Sequence, residues 1–333
     1  MFILQSYPIS VIFCVITMLC WGSWANTMRL THKGWSFTLY YWDYSIGLVL
    51  TSLFFGFTLG SYGELGRSFV KDLGQAQVQY LLLAFVGGVI FNLSNILIVV
   101  AIEMAGMAIA FPIAVGLALS LGVIINYLAA PVGNPTLLFI GLICIVLAII
   151  LSALAYKQLP QSKGATTKGI LISVISGLLM SVFYRFVAAS MATNVAVPEA
   201  GLLTSYSAMF IFTIGIFLSN FVWNTWMMYM PIYGEKTTYQ AYFKEGNLKT
   251  HLMGIAGGFI WNLGMTFNLI AASTAGFAIS YGLGQGATMV AATWGVFVWK
   301  EFKNAPALAN QYIRAMFTMF IIGLGMIIIS KVI

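Results

Sequence analysis

Three ionisable side chains of this 333-residue chain, Asp43, Glu103 and Arg185, fall within or at the rim of long apolar runs. A charge at the centre of a membrane span costs about 2.5–3.5 kcal/mol on insertion scales, so such a group is paired, wetted by a cavity, or engaged in moving ions. Asp43 lies about six residues into its run, roughly 9 Å at 1.5 Å per residue. It is the first candidate for a proton-coupling group; the competing reading is an interfacial carboxylate bonded to a neighbouring helix. Glu103 stands beside a tight turn at 103–106 and reads as a wetted helix end or as part of a relay. Arg185 is deeper in its run, with Ser181 and Tyr184 nearby. It reads as part of an outer gate, as a donor to a substrate carbonyl, or as the ion-pair partner of Glu199.

Neutral polar groups add a second chemistry, the recognition of carbonyl and N–H groups. Asn92 and Asn95 fall near the middle of one apolar run, Asn262 and Asn268 near the middle of another, and Gln285 stands between Gly284 and Gly286 with Tyr281 one turn earlier. Amides in hydrocarbon need partners, which are either neighbouring helices or a neutral polar solute in a cavity. The segment Trp21-Gly22-Ser23-Trp24-Ala25-Asn26 sets two indoles one turn apart. Trp21 and Trp24 there stack on a planar ligand or extend an interfacial aromatic belt that includes Trp35 and Trp42, while Ser23 and Asn26 supply hydrogen-bonding groups. No nucleophile with a positioned base, metal-ligand cluster or P-loop is evident, and the glycines from Gly282 to Gly286 follow no strand and make no nucleotide fingerprint. His32 and His251 flank apolar runs and read as surface residues, and Cys14, Cys20 and Cys144 read as packing thiols.

The elements that carry these groups must be membrane helices. Only 7% of residues are charged and 61% are hydrophobic, against about 25% charged in a soluble domain, which excludes a soluble enzyme, a nucleic-acid binder using the net charge of +7 and a secreted disulfide scaffold. Runs of about twenty apolar residues match a bilayer core, and their lack of alternation excludes a β-barrel. Ten spans are predicted, at 8–28, 38–60, 79–102, 106–128, 135–155, 169–190, 201–223, 251–272, 275–298 and 311–331. The first has no basic segment before it and is read as a retained span, not a signal peptide. Eleven basic residues collect on one side of this arrangement: Arg29, Lys33, Lys157, Lys163, Lys168, Lys236, Lys244, Lys249, Lys300, Lys303 and Arg314. Cytoplasmic loops are the basic ones, so both termini are predicted outside the cytoplasm. The mixed aromatic and charged connection at 224–249 is predicted to lie on the inner leaflet.

Residues 87–109 lie without gaps over 257–279 at an offset of 170, with ten identities that include Gly87 with Gly257, Asn92 with Asn262 and Gly106 with Gly276. At the same offset Pro112 meets Gly282 and Gly116 meets Gly286. The unit is therefore five helices, and an odd number inverts the second copy: residues 1–155 form one repeat, 156–168 a short cytoplasmic connection and 169–333 the other. The expected fold is an all-α membrane protein of ten transmembrane helices as two inverted five-helix repeats. Such folds serve secondary transporters, with broken helices at a midplane site.

Trp42-Asp43-Tyr44-Ser45-Ile46-Gly47, the stretch from Gly87 to Asn95, Trp21-Gly22-Ser23-Trp24 and Trp294-Gly295-Val296-Phe297-Val298-Trp299-Lys300-Glu301 together resemble the ureide permease family, in the drug/metabolite transporter superfamily near the glucose/ribose and rhamnose porters. The resemblance spans all ten predicted helices. It implies proton-driven import of ureides such as allantoin and of oxo-nitrogen heterocycles such as uracil, and it carries Asp43 over as a functional position. Two departures stand out: Ala25 replaces the proline that plant members carry after the second tryptophan, and Gly164-Ala-Thr-Thr-Lys-Gly in the short connection is not the nucleotide-binding-like motif of their long central loop.

The expectation is thus a proton-coupled importer of a small neutral polar solute (a ureide, nucleobase or nucleoside) working by alternating access, and not an enzyme. Substrate-binding candidates are Trp21, Ser23, Trp24, Asn26, Asn92, Asn95, Asn262, Tyr281 and Gln285; coupling or gating candidates are Asp43, Arg185 and Glu103. No cofactor, ATP, metal or nucleic acid is expected; the proton gradient is the energy source, the bilayer and the solute are the partners, and the protein is a monomer or homodimer of a plasma membrane, bacterial inner membrane in particular. A monosaccharide porter and a non-transporting membrane receptor are the alternatives.

Overall fold

The structure, a computed structural model, describes residues 1–159 and 166–333; Lys163 and Gly164 of the central connection lie outside the described residues. Among these residues every regular element is helical, because in hydrocarbon a helix satisfies its backbone groups within one segment. In chain order the helices are α1 (Tyr7–Ser23), α2 (Phe37–Phe57), α3 (Phe69–Gln75), α4 (Val78–Ala105), α5 (Met107–Ala129), α6 (Pro135–Lys157) and α7 (Thr167–Ser190). They continue with α8 (Ser205–Asn220), α9 (Trp223–Tyr229), α10 (Tyr239–Glu245), α11 (Leu248–Ala275), α12 (Phe277–Gly284), α13 (Ala287–Thr293) and α14 (Ala307–Ile329).

Eight helical stretches among the described residues are long and apolar enough to cross a membrane, not the ten expected. The second and ninth expected spans are the two that fall short. In α2 the residues from Tyr40 to Ser45 are aromatic or polar, and all are buried inside the bundle, so its composition reflects protein neighbours more than lipid. The ninth is split into α12 and α13 at Gln285 and Gly286. Outward faces of the long helices are apolar: Ile9, Ile12, Val15 and Leu19 along α1, and Ile140, Ile143, Leu147 and Ile150 along α6, are all exposed. Stripes of this size need a hydrocarbon solvent. The chain is a multi-pass membrane protein.

Two helix pairs make corresponding contacts. α4 and α11 are each 28 residues long, and each ends at a glycine in the left-handed region, Gly106 with φ 76° and Gly276 with φ 92°. Asn92 of α4 donates to the Ile216 carbonyl of α8, and Asn262 of α11 donates to the Leu48 carbonyl of α2. A Cβ added at Gly88 would stand 2.1 Å from the Phe212 oxygen, and one at Gly258 would stand 2.1 Å from the Tyr44 oxygen. The accepting positions, 44 and 48 in α2 and 212 and 216 in α8, keep one spacing.

One end of the bundle is tied by close contacts. α6 crosses α14 where a Cβ on Gly141 or Gly323 would stand 2.7 Å from the other's carbonyl oxygen. Beside this crossing Tyr7 donates to the Ile328 carbonyl and the Asn134 amide to that of Ser330. On the same side Arg67 bonds Asp72 and the carbonyls of Pro198, Glu199 and Leu202.

Candidate functional site

The opposite end, where α1, α4, α6 and α13 finish and α5 begins, holds a cavity of about 830 Å³. Its walls are largely apolar, with Phe111, Pro112 and Ile149 among them, and its polar groups are Asn26, Arg29, Glu103, Ser152, Tyr156, Thr288 and Glu301. Small-molecule sites have this character and size.

Local backbone chemistry brings the mouth together. After α1 the chain tightens into a 3₁₀ turn, Trp24–Leu30, which presents Asn26 and Arg29 to the cavity. After α13 it widens into a π turn, Trp294–Val298, closed by Trp299 N–H to the Trp294 carbonyl; single π turns recur at functional sites. Lys300 follows with φ 52°, and the Glu301 N–H returns to the Gly295 carbonyl. This path sets Trp294, Trp299 and Glu301 on one wall.

The groups on that wall are tied to one another. Arg29 Nη2 donates to Glu301 Oε1 at 2.9 Å, and its guanidinium carbon stands 4.7 Å from the centre of the Trp299 ring. Tyr156 donates to Glu301 Oε2 at 3.1 Å. Asn26 Oδ1 accepts from the Trp299 indole at 2.7 Å, and Ser23 accepts from the Trp294 indole at 2.8 Å. Gly295 lies close to both groups: a Cβ there would stand 2.8 Å from the Tyr156 hydroxyl and 2.9 Å from Glu301 Oε2. A flat face, a carboxylate, a guanidinium and a phenol within reach suit a small planar solute with N–H donors.

Of the residues singled out from sequence, Asn26 and Glu103 line this cavity and Ser23 supports its wall. Trp21 and Trp24 are turned to protein partners instead: Trp21 stacks on Trp261 at 5.7 Å and Trp24 lies against Tyr44 at 4.7 Å. Asn92 reaches Ile216, Ser219 and Asn220 of α8, Asn262 reaches Leu48 and Thr266, and Asn95 reaches the Tyr41 hydroxyl. The N–H₂ group of each amide is met by protein, while Asn92 Oδ1 is buried with no hydrogen-bond partner. Tyr281 is fully buried and donates to the carbonyls of Ala118 and Met180; Gln285 sits half-buried at the break after α12, apart from the cavity lining. Arg185 is half-buried in α7, and the pairing with Glu199 is not made: Glu199 instead accepts from Thr193, closing its own turn.

Asp43 is 1% exposed and lies between α2, α10 and α11. It accepts from Tyr242 at 2.5 Å, and both carboxylate oxygens stand 3.0 Å from His251 Nδ1. Burial first, and Asp43 next, push the Tyr242 phenol up from its ordinary range, so it stays a donor. The surface reading of His251 is corrected by this contact and by Trp35, whose ring stands edge-on to the imidazole at 5.6 Å. Trp35 and Trp42 are buried too, Trp35 against Tyr242 of α10 and Trp42 against Phe221 and Tyr239.

Arg29, Tyr156, Trp299 and Glu301 do not stand out in the sequence as site residues: Arg29 is one of many basic loop charges, and the Trp294 to Glu301 segment carries only a resemblance. The aromatic-acidic pattern at a helix exit was the available signal.

The family described as ureide permease matches residues 40–163 and 157–330. Ureide permease 1 of Arabidopsis thaliana is 21% identical over 394 aligned residues, covering 99% of each chain. Ureide permease 2 of the same plant is 21% identical over 402 aligned residues, again covering 99% of each. A solved crystal structure shares the fold with a TM-score of 0.58 at 13% identity, over 95% of this chain and 96% of that one.

Proposed function

The chain belongs to the ureide permease family, a transporter and not an enzyme, and from that premise we propose that it imports a ureide or a related nucleobase or nucleoside by proton-coupled alternating access. The observation that supports this reading is the 830 Å³ cavity at one end of the bundle, opposite an end where α6 and α14 cross closely. A path open to one side at a time is what alternating access needs. The open end bears the basic connections, so it faces the cytoplasm of a bacterial inner membrane, both termini lie outside, and this is the inward-facing form.

In this reading α2 and the divided α12–α13 also cross the bilayer, making ten spans in two inverted five-helix repeats. The corresponding contacts of α4 with α8 and of α11 with α2 support it. Ser23 and Asn26 set the cavity wall, Glu103 lines its mouth, and Arg185 stands towards the opposite end. Asp43, with His251 and Tyr242, is the proton-coupling group, acting through the α2–α11 interface rather than from the cavity. A monosaccharide porter and a receptor are not favoured, since the similar proteins are ureide permeases.

Purified protein in proteoliposomes tests this. Labelled allantoin or uracil should accumulate when a pH gradient is imposed, with ribose and glucose failing to compete. Accumulation of ribose in place of both nitrogen solutes, or uptake indifferent to the gradient, refutes the corresponding half of the reading.

A further inference from the structure

The Arg29–Glu301 pair is unusual in where it lies. Both side chains are solvent-accessible, 52% and 26% exposed, yet they line the cavity. An accessible ion pair contributes little to stability, so its geometry invites a different account. A guanidinium is flat, offers an edge of N–H donors to a carboxylate and lays its face on an indole. A ureido group is also a flat, trigonal carbon with two N–H groups on one edge, and it lacks the charge. Arg29 therefore occupies the carboxylate and the ring as a ureido group would.

We propose that Glu301 and Trp299 are the ureido-binding pair of the cavity and that Arg29 is their removable internal occupant, displaced when substrate enters. This rests on the transport reading above and assigns residues within it. The rest of the mouth is arranged to permit the exchange. Glu301 Oε2 is held by Tyr156 at 3.1 Å, so the carboxylate keeps its place when Arg29 leaves, and it has lone pairs to spare. The Trp299 plane is held by Asn26 at 2.7 Å. Gly295 keeps the space between Tyr156 and Glu301 clear. Arg29 has water to move into. Its departure would free the ring face and one edge of the carboxylate together, which a planar ligand needs and a puckered sugar does not.

The assignment makes the two members of one ion pair behave oppositely. Equilibrium binding of labelled allantoin to the purified full-length protein should weaken at least about tenfold in Glu301→Gln, the size of effect expected when a charged hydrogen-bond partner is lost. In Arg29→Ala it should tighten by about two- to fivefold, the range of an exposed ion pair that no longer competes. Raising salt should tighten binding to the wild type, because it screens the Arg29–Glu301 attraction, and leave Arg29→Ala unchanged. Should Glu301→Gln fail to fold, Arg29→Ala and the salt series decide alone. Weaker allantoin binding in Arg29→Ala, or binding to the wild type that weakens with salt, overturns the assignment and leaves transport standing. A wild type that neither binds nor carries allantoin, with Arg29→Ala binding none, removes both.

Discussion

Replacing Asp43 by asparagine keeps the side-chain size and removes the titrating group. In the structure the carboxylate accepts from Tyr242 at 2.5 Å and faces His251 Nδ1 at 3.0 Å from each oxygen. Its Cβ packs on α11 at Gly254, where a Cβ added to that glycine would stand 2.3 Å away, and asparagine adds no bulk to this contact. An amide retains one oxygen for Tyr242, which remains a donor. Its N–H₂ then faces His251, and that contact survives if the imidazole presents Nδ1 as acceptor. The structural loss is therefore bounded by one charge-assisted hydrogen bond, about 1.5–3 kcal/mol, and the fold should hold. Coupling is another matter. With one proton per neutral solute, a gradient of one pH unit is worth about 1.4 kcal/mol, or roughly tenfold accumulation. Wild-type proteoliposomes should approach that ratio for labelled allantoin. Asp43→Asn should reach equal concentrations on both sides while still exchanging labelled for unlabelled solute at near the wild-type rate. Full accumulation by the variant refutes the coupling role and leaves Asp43 as a bond between α2, α10 and α11.

Asn92→Ala and Asn262→Ala should each destabilise the protein by about 1–2 kcal/mol, the scale of interhelical hydrogen bonds, in a detergent unfolding assay, with the half-saturation for uptake unchanged; loss of uptake by a fully stable variant would place that amide in the transport path. Asn26→Ala removes the acceptor that orients Trp299 and should weaken allantoin binding by roughly three- to tenfold, about one hydrogen bond, without altering thermal stability. Gly258→Val drives side-chain atoms into the Tyr44 carbonyl and should cost about 1–3 kcal/mol by overpacking, measured by the same unfolding assay; an unchanged midpoint contradicts the close α2–α11 approach. A cysteine at Ser152, on the cavity wall, should react with an impermeant maleimide from the basic-loop side alone and be protected by allantoin; labelling from the other side contradicts the inward-facing reading.

Helix class and most span positions were legible in the sequence, because twenty-residue apolar runs admit few other structures in a bilayer. The exceptions have physical causes. α2 hides Tyr40, Tyr41, Asp43 and Tyr44 in protein, so its run is less apolar than a lipid-facing span, and the ninth run is divided at Gln285 and Gly286. The site was less legible. An amide in an apolar run needs a partner, and Asn92 and Asn262 found theirs on neighbouring helices. Composition shows that need without showing which partner meets it. His251 reads as a surface residue until α2 is laid beside it.

By itself, then, the sequence determined that the chain lives in lipid, that it is helical, that the stretches at 87–109 and 257–279 share ten identities, and which family it resembles. Those properties follow from local composition and from order along the chain. Tertiary structure decided which polar groups face water. Arg29, Tyr156 and Glu301 are separated by 127 and 145 positions in sequence and meet at one mouth, because a 3₁₀ turn and a π turn at two helix ends happen to open on the same space. Trp21 and Trp24, one turn apart on the sequence, each meet an aromatic ring of another helix, Trp261 and Tyr44, since which helix packs against a face is set only in the fold.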